Sequence, residues 1–215
     1  MTDPAVDETP GLRERKRLAT RRAIQLAAVS IASDRGLDAT TVDEIARVAD
    51  ISPRTFFNYF TSKEEAIVGD GPELPSDDAQ AVFVADRSPI FRALAHLISV
   101  SITPALADGE IAQLRRTLMK SHPELAARRW ATMHRFEAQV IDVVTRRLVD
   151  EDPSLATDPQ SLTRRARVTA LLAIAAMRSA WVTWMEDNGE HGTLLERLDE
   201  TFDLLPEIVT TSVRG

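Results

Sequence analysis

Thr40–Ala66 reads TTVDEIARVADISPRTFFNYFTSKEEA, and its punctuation decides the fold. Thr41 and Glu44 stand at the T-x-x-E spacing that opens a helix, and Val42, Ile45, Ala46 and Ala49 give that helix one apolar face. Ser52 is a good N-cap, and Pro53 suits the first helical position, where its missing N–H costs nothing. Only Asp50 and Ile51 remain for the turn, and Asp50 can take a positive φ, though less easily than Gly. Two helices of about eight residues on a three-to-four-residue turn, preceded by a longer helix, make a helix-turn-helix. The second of them carries Phe56, Phe57, Tyr59 and Phe60 in a chain with only 7 Phe, 1 Tyr and 3 Trp. A strand would bury them by alternation. A helix starting at Pro53 instead puts Phe56 and Phe60, four apart, on one buried face and turns Arg54, Thr55, Asn58 and Tyr59 elsewhere.

The outward set has the chemistry of nucleic-acid reading. Arg bonds bidentately to guanine, Asn to adenine, and the Thr methyl or hydroxyl meets thymine or phosphate. After them, TSKEEA repeats the capping signal with Ser62 and Glu65. Lys63 then stands at the head of a new helix, where its charge adds to exposed N–H groups as a phosphate clamp.

Upstream, Ile24, Ala27, Ala28 and Ile31 recur at helical steps, giving a first helix from about Leu12 to about Asp34 that Gly36 terminates. Its beginning, RERKRLATRR (Arg13–Arg22), is basic with only Glu14 opposed, whereas the whole chain has a formal charge of -7. The protein is therefore not a polybasic nucleic-acid glue. One end of it is suited to meet an anion, although a solvated helix face would look similar. The opening MTDPAVDETPG is acidic, has no apolar signal-peptide core and reads as a disordered tail over 1–11. The absence of cysteine excludes disulfides and thiolate chemistry and fits a reducing, cytoplasmic setting.

Taken together, the long helix, the capped short helix, the tight turn, the Ser-Pro start and the Ser-Lys-Glu helix resemble the DNA-binding head of the TetR family of transcriptional regulators, over about residues 12–67. The resemblance implies that Thr41, Arg54, Thr55, Asn58, Tyr59 and Lys63 lie at the DNA surface. Two positions depart from the family pattern: the usual turn glycine is Asp50, and the tyrosine that often bonds phosphate is Phe57. The family's fold is all-α, with an N-terminal three-helix head, here 12–68, and a helical body, here 69–215. In the family the body binds a small molecule and dimerises through its last two long helices.

The residues of the body agree with an all-helical reading. GDGPELPSDD marks a border, and helices are expected at about 89–103, 109–121, 123–150, 160–187 and 193–213. The apolar stretch Val168–Met185 contains Arg178 and much alanine, and reads as a buried or dimer-forming helix rather than a membrane span. Val168, Leu171, Leu172, Ala175, Ser179 and Val182 stack at three- and four-residue steps, as do Leu194, Leu198, Thr201 and Leu205. Such stripes suit a homodimer interface or an ordinary core. Pro206 should kink or locally unwind the last helix.

Bulky groups that could line an effector site are Trp130, Met133, His134 and Phe136 on one helix, and Phe91, His96, Met119 and Trp181, with Trp184, on others. They describe a largely apolar pocket, with Arg128, Arg129 and Arg135 near Trp130 able to hold one anionic group. Residues of this kind at helical spacing are also what cores use. Four scattered histidines argue for no metal, and nothing asks for a cofactor. There is no phosphate loop, G-x-S-x-G or H-E-x-x-H motif to support an enzyme. The expectation is thus a homodimeric, ligand-responsive repressor that binds a double-stranded DNA operator and is released by a small molecule. A ligand-independent activator or architectural protein, or a helical enzyme or carrier with a vestigial head, are the alternatives.

Overall fold

The computed structural model describes residues 11–186 and 192–211, with side chains of the last helix as far as Ile208. Of the expected tail only Gly11, which precedes the first helix, falls among these, as does the last helix only to Thr211. All regular elements among the described residues are helical. They are α1 Leu12–Arg35, α2 Val42–Val48, α3 Pro53–Phe57, α4 Lys63–Val68, α5 Asp77–Ala85, α6 Ile90–Leu106, α7 Gly109–Ser121, α8 Pro123–Ala131, α9 His134–Glu151, α10 Pro159–Glu186 and α11 Leu194–Thr211, with a 3-10 turn at Pro153–Thr157.

By backbone proximity the chain divides into two compact units. One runs to Gly69 and takes in Gly109–Ala126; the other holds Asp70–Asp108 and the chain from Ala127. In the first unit, the apolar half of α1 is buried through Ile24, Ala27, Ala28 and Ile31, and α2 and α4 pack on it through Ile45, Ala46, Ala66 and Ile67. Gly36, at φ 86, ends α1 by returning its N–H to Ala32 O at 3.0 Å. The body expected at 69–215 gives up Gly109–Ala126 to this unit, because α7 packs on α1 and α4. Ile111, Leu118 and Met119 are buried there, and Arg115 Nε donates to Ile67 O at 2.7 Å. The same guanidinium lies over Gly69, at φ 74, where a Cβ would stand 2.6 Å from an Arg115 nitrogen. Glycine is favoured there by the backbone angle, and a Cβ would also make the guanidinium shift.

The second unit is built on α6, α9, α10 and α11. Leu94, Ile98, Phe136, Val140, Val143, Val144, Leu198 and Phe202 form its core with an alanine face of α10, Ala166, Ala170, Ala173 and Ala180, which allows close helix approach. By length and composition α10 could cross a membrane, yet that alanine face is spent on this core. The helix expected over 123–150 is two helices. α8 stops at Ala131, where the Thr132 hydroxyl donates back to Arg129 O at 2.8 Å, and α9 starts at His134. α5 was not anticipated: it begins inside the Gly/Pro/acid stretch, where Ser76 Oγ accepts from Ala79 N. α11 continues as helix through Pro206, so no unwinding is seen there. Arg147 of α9 is fully buried, and its charge is met by Glu151 at 2.8 Å and by the carbonyls of Phe83 and Ser88, which ties the α5–α6 joint to α9.

Candidate nucleic-acid interface

The geometry of the tight turn follows from three caps. Thr41 Oγ1 accepts from Glu44 N at 3.3 Å, Ser52 Oγ from Thr55 N at 3.0 Å and Ser62 Oγ from Glu65 N at 3.2 Å. Between the first two, Asp50 takes φ 54, the only positive value at a non-glycine residue among those described. α3 is assigned over five residues rather than about eight, but Phe60 N still reaches Phe56 O at 3.0 Å, so the helical course continues through the next turn. Phe56 and Phe60 are buried with ring centroids 6.0 Å apart, as their spacing implied. Arg21 of α1 holds this end in place: it donates to Tyr59 O at 3.0 Å and lies 4.2 Å over the Phe60 ring. That role was not legible, because the Arg13–Arg22 block contains six basic residues of similar kind.

With Phe56 and Phe60 turned inward, Arg54, Phe57 and Asn58 form the exposed face of α3 and its continuation, at the i, i+3, i+4 spacing of one helix side. Phe57 is 57% exposed. Thr55 and Tyr59 are half-buried on the flank, and the Thr55 hydroxyl is engaged with Ser52 Oγ at 2.8 Å. Thr41 is exposed at the start of α2. Lys63 stands apart from the expectation of an outstretched clamp. Its Nζ donates to Leu37 O and Thr40 O, each at 2.8 Å, so two of its three hydrogens hold the α1–α2 loop. The N-terminal turns of α1 expose Arg13, Arg15 and Lys16, while Arg17 forms a two-bond pair with Glu14 at 2.8 and 2.9 Å. Those hydrogen bonds hold the Glu14 carboxyl below its ordinary range.

Of the expected effector-site residues, only some come together. Trp130 and Trp181 meet edge to face, centroids 5.5 Å apart, with Arg178 5.1 Å over Trp130, and these, with Phe91 and Trp184, are half-buried against the core of the second unit. Met133 and Phe136 are buried members of that core. His96 and His134 both lie on exposed helix faces, His96 in line with exposed Arg92 and Val100 and His134 beside exposed Arg135. Met119 is buried in the first unit with α7. Of the three arginines, Arg129 donates to Asp70 O and Arg135 lies 3.9 Å from Glu73. An open depression of about 470 Å³ is lined by Val84, Thr145, Arg146, Val149, Asp150 and Pro153, none of them among the residues expected.

The stripes on the last two helices also sort out. Val168, Leu171, Ala175, Ser179 and Val182 are exposed along α10, and Leu172 is half-buried beside them. On α11 the expected stripe turns inward: Leu194 and Leu198 are core, Thr201 and Leu205 half-buried. Among the described residues of α11 the large apolar side chains left exposed are Leu204 and Ile208.

A capped two-helix turn seated on a basic helix, with Arg and Asn on its outer face, defines a helix-turn-helix protein with a helical body. Residues 24–66 match the family model of bacterial regulatory proteins, tetR family. The chain is 45% identical over 56 residues to the HTH-type transcriptional regulator TcmR of Streptomyces glaucescens, covering 26% of this chain and 25% of that protein. It is 39% identical over 84 residues to BetI of Rhizobium meliloti (strain 1021), covering 38% and 41%. The matched stretches thus span less than half the length of either relative. Beyond them the likeness is one of fold. The fatty acid degradation regulator FadR of Bacillus halodurans superposes over 86% of this chain and 94% of its own, with a TM-score of 0.50 and 17% identity.

Proposed function

We propose that the protein is a cytoplasmic, homodimeric DNA-binding transcriptional regulator, and that it acts as a repressor released from its operator by a small molecule. The observation that carries the DNA-binding part is the face made by Arg54, Phe57 and Asn58 on a helix anchored from behind by Phe56 and Phe60. Thr41, Thr55 and Tyr59 flank it, and the basic start of α1 adds positive charge on the same unit. In a dimer two such helices enter successive major grooves, about 34–36 Å apart, on a near-palindromic site. Lys63 contributes through its remaining hydrogen to phosphate and by holding the loop in front of Thr41.

Release follows if the effector binds a body conformation whose recognition helices no longer fit the groove spacing, because operator affinity then falls by linkage. The half-buried Phe91, Trp130 and Trp181 form the apolar surface for that effector, with Arg178 able to meet one polar or anionic group. The test is retardation of DNA from immediately upstream of its own coding region, followed by a screen of apolar compounds on the complex. Specific retardation that an active compound reverses, with a tryptophan fluorescence change at the same midpoint, supports the reading. Absence of any specific complex overturns it. A stable complex that no compound releases leaves a ligand-independent DNA binder.

A further inference from the structure

We infer that Phe57 is a specificity-determining residue that reads the 5-methyl group of a thymine in each half-site, an inference that rests on the proposed DNA-binding function. A single exposed apolar side chain on a protein surface is ordinary. Three features set this one apart. It lies on the same helix side as Arg54 and Asn58, at i+3 from the first and adjacent to the second, so it faces whatever those polar groups face. Its ring is held edge-on against buried Phe56, with centroids 5.4 Å apart and planes at 88°, so it is presented in a set orientation rather than waving in solvent. It also has no hydroxyl, so unlike a tyrosine it has nothing to offer a phosphate oxygen.

Within a major groove the thymine methyl is the apolar group that marks one base, and Phe is among the side chains that meet it. The division of labour is then complete on one helix face. Arg54 and Asn58 supply hydrogen bonds to purine edges, and Phe57 supplies the apolar contact that distinguishes thymine from cytosine. Removing the methyl removes that contact while leaving every base-pair hydrogen bond in place.

The experiment begins with selection of preferred duplexes by the full-length protein from a random pool. Each thymine of the selected half-site is then replaced, one at a time, by deoxyuridine. One replacement per half-site should weaken binding by the native protein about fourfold, the size expected for burying one methyl group. Phe57→Ala should bind the thymine duplex about as weakly as the native protein binds the deoxyuridine duplex, and should no longer respond to that replacement. Phe57→Tyr keeps the ring and should keep the response. The inference is overturned if no deoxyuridine step weakens the native protein, if Phe57→Ala shows the same step, or if Phe57→Tyr tightens binding equally on selected and random DNA, which would place position 57 against phosphate. If no duplex is selected at all, the DNA-binding function itself fails and this reading goes with it.

Discussion

The ammonium of Lys63 has two carbonyls, Leu37 O and Thr40 O, within 2.8 Å, and so it does two things at once. Charged hydrogen bonds in a partly buried setting contribute about 1.5–3 kcal/mol each at the upper end of the usual range, less where water competes. Lys63→Ala should therefore lower the stability of the head by about 1–2 kcal/mol, read as an earlier transition in urea, as well as weakening all DNA sequences alike. Unchanged stability with weakened DNA binding would mean that the carbonyl contacts contribute nothing in solution and that the side chain is free for phosphate. Arg54→Ala and Asn58→Ala should do the reverse. Both side chains are exposed, so stability should hold while affinity for the preferred duplex falls by about 1–3 kcal/mol and random DNA is affected much less. Competition binding against random duplex checks the split, and equal losses on both kinds of DNA would show that these residues grip rather than read. Residue identity was enough to nominate Arg54 and Asn58, because their reach and exposure follow from a helix that starts at Pro53. It was not enough for Lys63, whose partners lie 23 and 26 positions away in a loop that only the fold brings near.

At the scale of the element, the turn between α2 and α3 carries a local strain that one substitution can relieve. Asp50 sits at φ 54, where an L-residue with a Cβ is disfavoured by roughly 1–2 kcal/mol relative to glycine. Asp50→Gly should raise the thermal midpoint, its gain reduced by the greater freedom of glycine in the unfolded chain. Asp50→Val should lower the midpoint and loosen α3, and a Gly variant no more stable than the native protein would show that Asp50 is relieved in another way. The α5–α6 joint offers an acid-side counterpart. Asp86 accepts from the Ser88 N–H at 2.7 Å and from its hydroxyl at 2.9 Å, and these bonds hold its carboxyl below the ordinary value. A depressed folded-state value contributes stability above the ordinary carboxylate range and loses it as pH falls through the folded value. Asp86→Asn should thus be less stable than the native protein at neutral pH and converge with it in acid. An offset that is constant with pH would exclude the carboxylate as its source. Caps and periodic apolar faces made α1, α2, α4, α6, α7 and α10 readable from local signals. The interruption at Thr132–Met133 and the helix α5 were not, since Ala-rich and Arg-rich sequence runs smoothly through the first and Gly, Pro and acids obscured the Ser76 cap of the second.

The assembly of the whole molecule depends on which faces of α10 and α11 are left over once the protomer has built its core. A stripe at helical spacing looks the same whether it meets its own body or a second copy, and that is why the sequence pattern alone pointed to Leu198 and passed over Leu204. Burial separates the two. Leu198 is 0% exposed in the core formed with α6 and α10, whereas Leu204 is 52% exposed and Ile208 60%. On α10 the steps Val168, Leu171, Ala175, Ser179 and Val182 run 3, 4, 4 and 3 along one exposed side, the spacing that two facing helices would need to interdigitate in the proposed dimer. Leu171→Asp and Leu204→Asp should therefore give protomers with native helical content that sediment as monomers, because an unpaired carboxylate cannot be buried between two copies without a cost of several kcal/mol. Operator affinity should collapse with the dimer even though Arg54, Phe57 and Asn58 are untouched, since two half-sites are then no longer engaged by one particle. Leu198→Asp should instead unfold the body itself and is uninformative about partnering, so its role is that of a control. If Leu171→Asp and Leu204→Asp both sediment as dimers with full operator affinity, the copies meet through another surface, and the exposed seam of α10 has to be assigned to a different partner.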